Sequence, residues 1–234
     1  MAQYDTDLTR DGSRLVYTAP GHPWQMLKWQ RADGSGKGAP LHDAPFETWP
    51  TDWSPDATLL AFYGTGGLTS DPARDIYVAD TAGTRRQIIG GPGIQRNARF
   101  SPDGRWIAYE SLENGPPNIY VQPWPALDRK WPISTDGGRE PLWGPYGREL
   151  FYRSGDKVML VEAGAGADFQ ASAARILFQG LFWTEPSGDY SYDIAPDGRR
   201  FLMMQPDTTE RTEIRVIMNW GAELEQLLQR REQE

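Results

Sequence analysis

The stretch FSPDGRWIAYES, Phe100 to Ser111, reads as the end of one strand, a tight turn and a second strand. Four other segments repeat it: LTRDGSRLVYTA (Leu8 to Ala19), WSPDATLLAFYG (Trp53 to Gly64), WGPYGRELFYRS (Trp143 to Ser154) and IAPDGRRFLMMQ (Ile194 to Gln205). Their third residues, Arg10, Pro55, Pro102, Pro145 and Pro196, recur every 43 to 51 residues. A period of roughly 40 to 50 belongs to propellers and solenoids. The turn has a mechanism: Pro presets φ for the first position, Asp bonds its own backbone at the second, and Gly takes the left-handed position that closes a three-residue hairpin. Ala57 stands where the second copy should have that Gly, which predicts a strained turn.

Each turn is followed by a strand ending in large apolar or aromatic residues, and then by a second β-rich run: WQMLKWQ, DIYVAD, NIYVQP, KVMLVE and IRVIMNW. In the first four copies a third short run follows, around Pro40 to His42, Gln87 to Ile89, Trp131 to Ser134 and Arg175 to Phe178. The unit is therefore four antiparallel strands, and the chain is an all-β propeller of about five blades in one domain, 1–234. The blades span roughly 3–46, 47–93, 94–137, 138–187 and 188–220. The last is short of one strand, and a short C-terminal helix at 221–231 follows, capped by Asn219 with Leu224, Leu227 and Leu228 on one face. The ten Trp are read mainly as packing between blades.

FSPDGRWIAYES with NIYVQPWP, and YDIAPDGRRFLMMQ with IRVIMNWGAELEQLL, resemble the WD40-like (PD40) TolB-type propeller repeats. The ending is similar to that of the C-terminal propeller of bacterial membrane-anchored serine/threonine protein kinases. That resemblance implies a sensor or scaffold part of a larger signalling protein, extracytoplasmic or periplasmic if its parent is membrane-anchored. No kinase motif is present in the chain itself. TolB-like oligogalacturonate lyases carry a histidine-rich metal site, and nothing here matches it.

A net charge of −8 argues against nucleic acid as a partner, since binding a phosphate backbone needs a basic stripe. There is no cysteine, hence no disulfide or thiolate chemistry. No apolar window long enough to insert in a membrane occurs, and MAQYDTDLTRDGSR has no leader pattern; the chain reads as soluble as given, its compartment open. His22 and His42 are read as loop residues rather than metal ligands, and no cofactor is expected. DGSGKGAP (Asp33 to Pro40) lacks the spacing of a phosphate loop, DTDLTRDG lacks the terminal Glu of a calcium loop, and no GxSxG elbow occurs.

In a propeller the innermost strands line the axis, and the loops leading into them form a rim. Counting back from each turn aligns Tyr4, Trp49, Arg96, Arg139 and Tyr190, with neighbours Glu47, Gln95, Glu140 and Asp189. Trp49, Arg96, Arg139, Tyr190, Glu47 and Asp189 are the candidate ligand-binding set, because Arg presents a fork to anions and aromatics offer stacking faces. The expected function is a non-catalytic propeller binding a peptide, protein or polar small molecule at this rim. Two alternatives stand beside it: a carbohydrate-active hydrolase or lyase using Glu47, Glu140 or Asp189, and a structural unit that homo-oligomerises through open blade edges. Deeper positions, Asp7, Asp52, Arg99 and Asp193, are expected to pair around the channel as structural salt bridges.

Overall fold

The structure, a computed structural model, describes residues 6–19, 26–41, 47–65, 74–164, 166, 168–185 and 188–205. Tyr4, both histidines, the last copy's third strand at 214–220, the helix at 221–231 and the kinase-like ending lie outside the described residues.

Four four-stranded antiparallel sheets follow one another along the chain. Sheet I contains β1 (Thr6–Leu8), β2 (Arg14–Ala19), β3 (Met26–Arg31) and β4 (Ala39–Pro40). Sheet II contains β5 (Thr48–Trp53), β6 (Leu59–Thr65), β7 (Arg74–Asp80) and β8 (Arg85–Ile89). Sheet III contains β9 (Gln95–Phe100), β10 (Trp106–Ser111), β11 (Asn118–Pro123) and β12 (Trp131–Pro132). Sheet IV contains β13 (Arg139–Trp143), β14 (Glu149–Ser154), β15 (Lys157–Glu162) and β16 (Arg175–Gln179). A two-stranded hairpin, β17 (Tyr192–Ile194) and β18 (Phe201–Met203), closes the described chain.

The core explains why the sheets stack. Successive side chains of a strand point to opposite faces, so the second strand of each sheet serves two seams. On β6, Leu60 and Phe62 pack toward sheet I with Val16, Leu27 and Trp53, while Ala61 and Tyr63 pack toward sheet III with Phe100, Ile107 and Tyr109. On β10, Ile107 and Tyr109 face sheet II, whereas Trp106 and Ala108 face Trp143, Leu150 and Tyr152 of sheet IV. On β14, Phe151 turns the other way, to Tyr192 and Phe201 of the hairpin. A strand buried on both faces has little room for polar residues, and all six residues of β10 are buried.

The repeated turns lie together. Gly12, Ala57, Gly104, Gly147 and Gly198 all have positive φ, between 55° and 69°. The glycine also lets adjacent turns touch: a Cβ at Gly147 would meet the Pro102 ring at 3.3 Å, and one at Gly198 would meet Pro145 at 3.0 Å. Each loop holds four residues, one more than the expected three. Ser101 N–H donates to Trp106 O, but Trp106 N–H returns its bond to the Ser101 hydroxyl at 2.9 Å. The same hydroxyl donates to Asp103 at 2.6 Å, and Ser54 and Thr9 repeat the pattern with Asp56 and Asp11. Hydrogen bonds from Thr9 and Ser13 hold the Asp11 carboxyl down at about 2.

Among the described residues no strand pairing joins the last hairpin to sheet I. These two ends face each other across a cavity instead.

Candidate functional site in the axial channel

Two cavities occupy the axis and share Thr6, Asp7 and Arg99 as a neck. The larger, about 670 Å³, opens on the side of the repeated turns. Its walls carry Leu8, Leu15, Trp143, Pro145, Ile194 and Pro196 together with Arg10 and Asp193, and its floor is charged, with Asp7, Asp52 and Arg99. The smaller, about 270 Å³, opens at the opposite end beside Tyr63, Glu185, Asp189 and Tyr190.

Arg99 on β9 organises the neck. Its Nη1 lies 3.4 Å from Asp52 Oδ1, and its guanidinium sits 4.2 Å from the centre of the Tyr190 ring. Asp52 also accepts the Phe100 N–H at 2.7 Å. At the neck, Asp7 Oδ2 and Arg99 Nε are buried without a hydrogen-bond partner among the described residues, as Glu140 Oε1 and Arg153 Nε are elsewhere. Burial pushes the Asp7 carboxyl up to about 7, with Arg99 opposing and Asp52 adding to the rise. Burial likewise raises Asp52, again against Arg99. Burial would lower Arg99, but Tyr190, Asp52 and Asp7 together hold it above its usual range. The axial acids and arginine therefore pair as expected at Asp52 and Arg99, while Asp193 lies exposed at the wall of the larger cavity.

The rim residues separate into three groups. Asp189 and Tyr190 line the smaller cavity: Asp189 accepts the Tyr63 hydroxyl at 3.1 Å, and the Tyr190 hydroxyl lies 3.0 Å from Asn97 O and 2.9 Å from Pro141 O. Trp49 and Arg96 turn into seams between sheets. Trp49 stacks on Tyr63 with ring centroids 5.1 Å apart, and the Arg74 guanidinium lies 4.4 Å from the Trp49 ring centroid. Arg96 gives two N–H groups to Glu110 Oε1, at 3.0 and 2.7 Å. Glu47 is exposed ahead of β5, and Arg139 is half-buried opposite Arg153. Glu140 is fully buried, accepting the Ser191 N–H and hydroxyl at 2.7 and 2.8 Å, and burial raises its carboxyl. Of Glu47, Glu140 and Asp189, only Asp189 lines an axial cavity.

The reason for this sorting is a bulge. The inner strands β5, β9 and β13 each slip register against their partners, between Pro50 and Asp52, between Arg96 and Arg99, and between Arg139 and Leu142. Asn97 and Glu140 occupy equivalent bulge positions with φ of 57° and 56°. A bulge re-aims the side chains beside it, so a fixed count back from the turn lands on the wrong face. Asn97 reaches the Gly188 carbonyl at 2.7 Å, and Glu140 reaches Ser191, each spanning to the last repeat. Sequence counting missed Tyr63, Glu185 and Glu110; the only local signal for Glu110 is a charged residue inside an otherwise apolar strand.

Among the described residues no group of three or more His, Cys, Asp or Glu is placed to hold a metal ion. No described helix is long and apolar enough to cross a membrane.

No family model matches the chain. Solved structures do. A protein assigned as TolB from Agrobacterium tumefaciens superposes with a TM-score of 0.58 at 21% identity, over 79% of this chain and 71% of its own. TolB from Acinetobacter baumannii gives 0.64 at 21% identity, over 84% of this chain and 48% of that one. The fold is that of a TolB-type β-propeller. The four sheets are thus blades, and the two cavities are the propeller's axial channel. A puromycin-hydrolyzing peptidase of Mycobacterium tuberculosis shares the fold over 86% of this chain but 35% of its own length, with a TM-score of 0.59 at 18% identity. This chain spans about half or less of the latter two proteins.

Proposed function

We propose that this propeller is a non-catalytic binding module whose axial channel takes a peptide, a segment of a partner protein or a polar small molecule, as the sensing or scaffolding part of a larger protein. One observation carries the reading. At the neck shared by the two cavities, a carboxylate oxygen and a guanidinium N–H are buried without a hydrogen-bond partner among the described residues. Burying a polar group without a hydrogen bond costs free energy, and at the neck, unlike at Glu140 Oε1 inside a seam, that cost falls where two cavities meet. A ligand with polar groups and an apolar body satisfies the neck and covers the walls of the larger cavity.

The test is NMR of the native chain with arginine side chains labelled at Nε, titrated with a random hexapeptide pool and a panel of amino-acid amides and monosaccharides. The Arg99 Nε–H resonance, assigned by its loss in Arg99→Lys, is expected to move with at least one member and saturate. An Arg99 signal unmoved by every member at millimolar concentration overturns the reading.

A further inference from the structure

Three asparagines lie among the described residues, and their surroundings differ. Asn97 is buried, its Nδ2 bonded to Glu110 and to the Gly188 carbonyl. Asn118 opens β11 ahead of the β-branched Ile119, and its Oδ1 accepts the Ser134 hydroxyl and the Gly137 N–H at 3.0 and 3.2 Å. Asn114 lies in the turn between β10 and β11, followed by Gly115 and Pro116, and all three are exposed. Its Nδ2 makes two long bonds, to the Tyr120 hydroxyl at 3.3 Å and to Glu113 Oε1 at 3.5 Å.

The backbone beside Asn114 is as lightly tied. The Gly115 N–H closes the turn on Leu112 O at 3.2 Å, φ at Gly115 is 101°, and a Cβ there would meet nothing within 4 Å. A side chain following asparagine shields the peptide nitrogen, and glycine has none. Asparagine is among the thermolabile residues, and local opening of an exposed loop tip costs little. Opening this turn frees both the amide carbon of Asn114 and the nitrogen of Gly115.

We propose that Asn114 is a modification site, converted without an enzyme to aspartate and isoaspartate through a cyclic imide formed with Gly115. The Gly115 nitrogen, its proton lost to solvent base, attacks Asn114 Cγ. The N–Cγ bond forms, the Cγ–Nδ2 bond breaks, and the amide nitrogen takes up a proton and leaves as ammonia. Water then opens the imide. Cleavage at Cγ leaves aspartate in an unaltered chain, and cleavage at the Asn114 backbone carbonyl leaves isoaspartate, with the chain rerouted through Cγ. The sum is amide plus water giving carboxylic acid plus ammonia, with no change of oxidation state. The new carboxylate adds one negative charge to a net −8 and stands beside Glu113, whose own carboxylate pairs with Lys130 Nζ at 2.5 Å. The turn lies at the end of its blade opposite the repeated turns, the end at which the smaller cavity opens.

The test is ageing of the native chain at 37 °C and at pH 6, 7 and 8, with the asparagine-bearing peptides followed by mass spectrometry and a synthetic LENGPP peptide aged alongside. Asn114 is expected to convert ahead of Asn97 and Asn118 into two products, with isoaspartate the more abundant. Its rate should rise about ten-fold from pH 6 to pH 8, because the attacking nitrogen is the deprotonated one. Asn114→Gln should remove the acidic species that isoelectric focusing shows in the aged native chain. Asn114 left intact after the free peptide has converted overturns the proposal. So does aspartate formed without isoaspartate, since direct hydrolysis needs no glycine. Conversion of Asn97 or Asn118 at the same rate, or an acidic species that persists in Asn114→Gln, places the chemistry elsewhere and overturns the assignment.

Discussion

Arg96 and Arg99 stand three residues apart on the same strand and have opposite fates. Arg96 lies across from Glu110 in the register of β9 and β10, its side chain 6% exposed and that of Glu110 fully buried. Glu110 also accepts from Asn97 Nδ2 at 3.2 Å and from the Glu140 backbone N–H at 3.3 Å, so its carboxylate ties blades three and four together. Arg99 is 21% exposed, reaches Asp52 only at 3.4 Å, and keeps Nε without a hydrogen-bond partner among the described residues. In the first cluster the opposite charges meet within hydrogen-bond distance, as a buried ion pair must to offset desolvation. The second is left incomplete at the one place where two cavities meet. The contrast separates a charge that holds the fold from a charge available to something else.

Breaking the closed cluster should do the most damage. Glu110→Ala leaves Arg96 buried without its counter-charge and is expected to cost about 3–5 kcal/mol in urea unfolding. Arg99→Ala should cost less, because Arg99 is part exposed, lies 3.4 Å from Asp52, and leaves behind an Asp7 carboxyl that burial already holds up at about 7. Equal losses would erase the distinction drawn between the two arginines.

Next in size is Gly188→Ala. Gly188 has φ of 91°, and a Cβ there would run into the Arg96 guanidinium. Backbone strain of this kind costs about 1–3 kcal/mol. The loss should largely vanish in an Arg96→Ala background if the clash, rather than the backbone angle, dominates.

A smaller effect probes the open cluster through pH. Folding raises Asp7 from 3.8 to about 7, so the folded chain binds more protons than the unfolded one between these values. Stability from this group is complete below about pH 4 and is lost as the pH rises through 7. Asp7→Asn should therefore have a higher Tm than the native chain at pH 8, with the gain shrinking as the pH falls toward 4. A gain independent of pH would show that Asp7 does not titrate in that window.

Smallest is Ala57→Gly in the second turn, where φ is 55°. A left-handed non-glycine residue costs about 1–2 kcal/mol, and the extra freedom of Gly in the unfolded chain takes back about 0.5–1 kcal/mol. A net gain of about 0.5 kcal/mol is expected from urea midpoints. The equivalent change of Gly104 to Ala should show the opposite sign.

The turn residues and the alternation of β6, β10 and β14 made the architecture legible before any coordinates. Each of those signals is contained within a dozen residues, and a wrong choice in one copy is outvoted by the others. Ala57 shows how local that information is, since its strain was expected from a missing glycine alone. The candidate site was legible only in part. Tyr190 and Asp189 lie where counting from the turn put them, at the channel, but Trp49 and Arg96 do not, because counting assumes an unbroken period of two and the inner strands bulge.

What the amino-acid order determined by itself was a set of sheets that cannot bury their faces alone and must stack on one another, with proline and glycine turns packed on one side. Which of two neighbouring arginines would be locked into a seam and which would face the channel was decided only in the folded chain. Glu110 shares the blade of Arg96, but Gly188 beside it, and Asp52, Asp7 and Tyr190 around Arg99, come from other repeats. Electrostatics acts through space and desolvation depends on everything nearby, so no short window of sequence contains the answer.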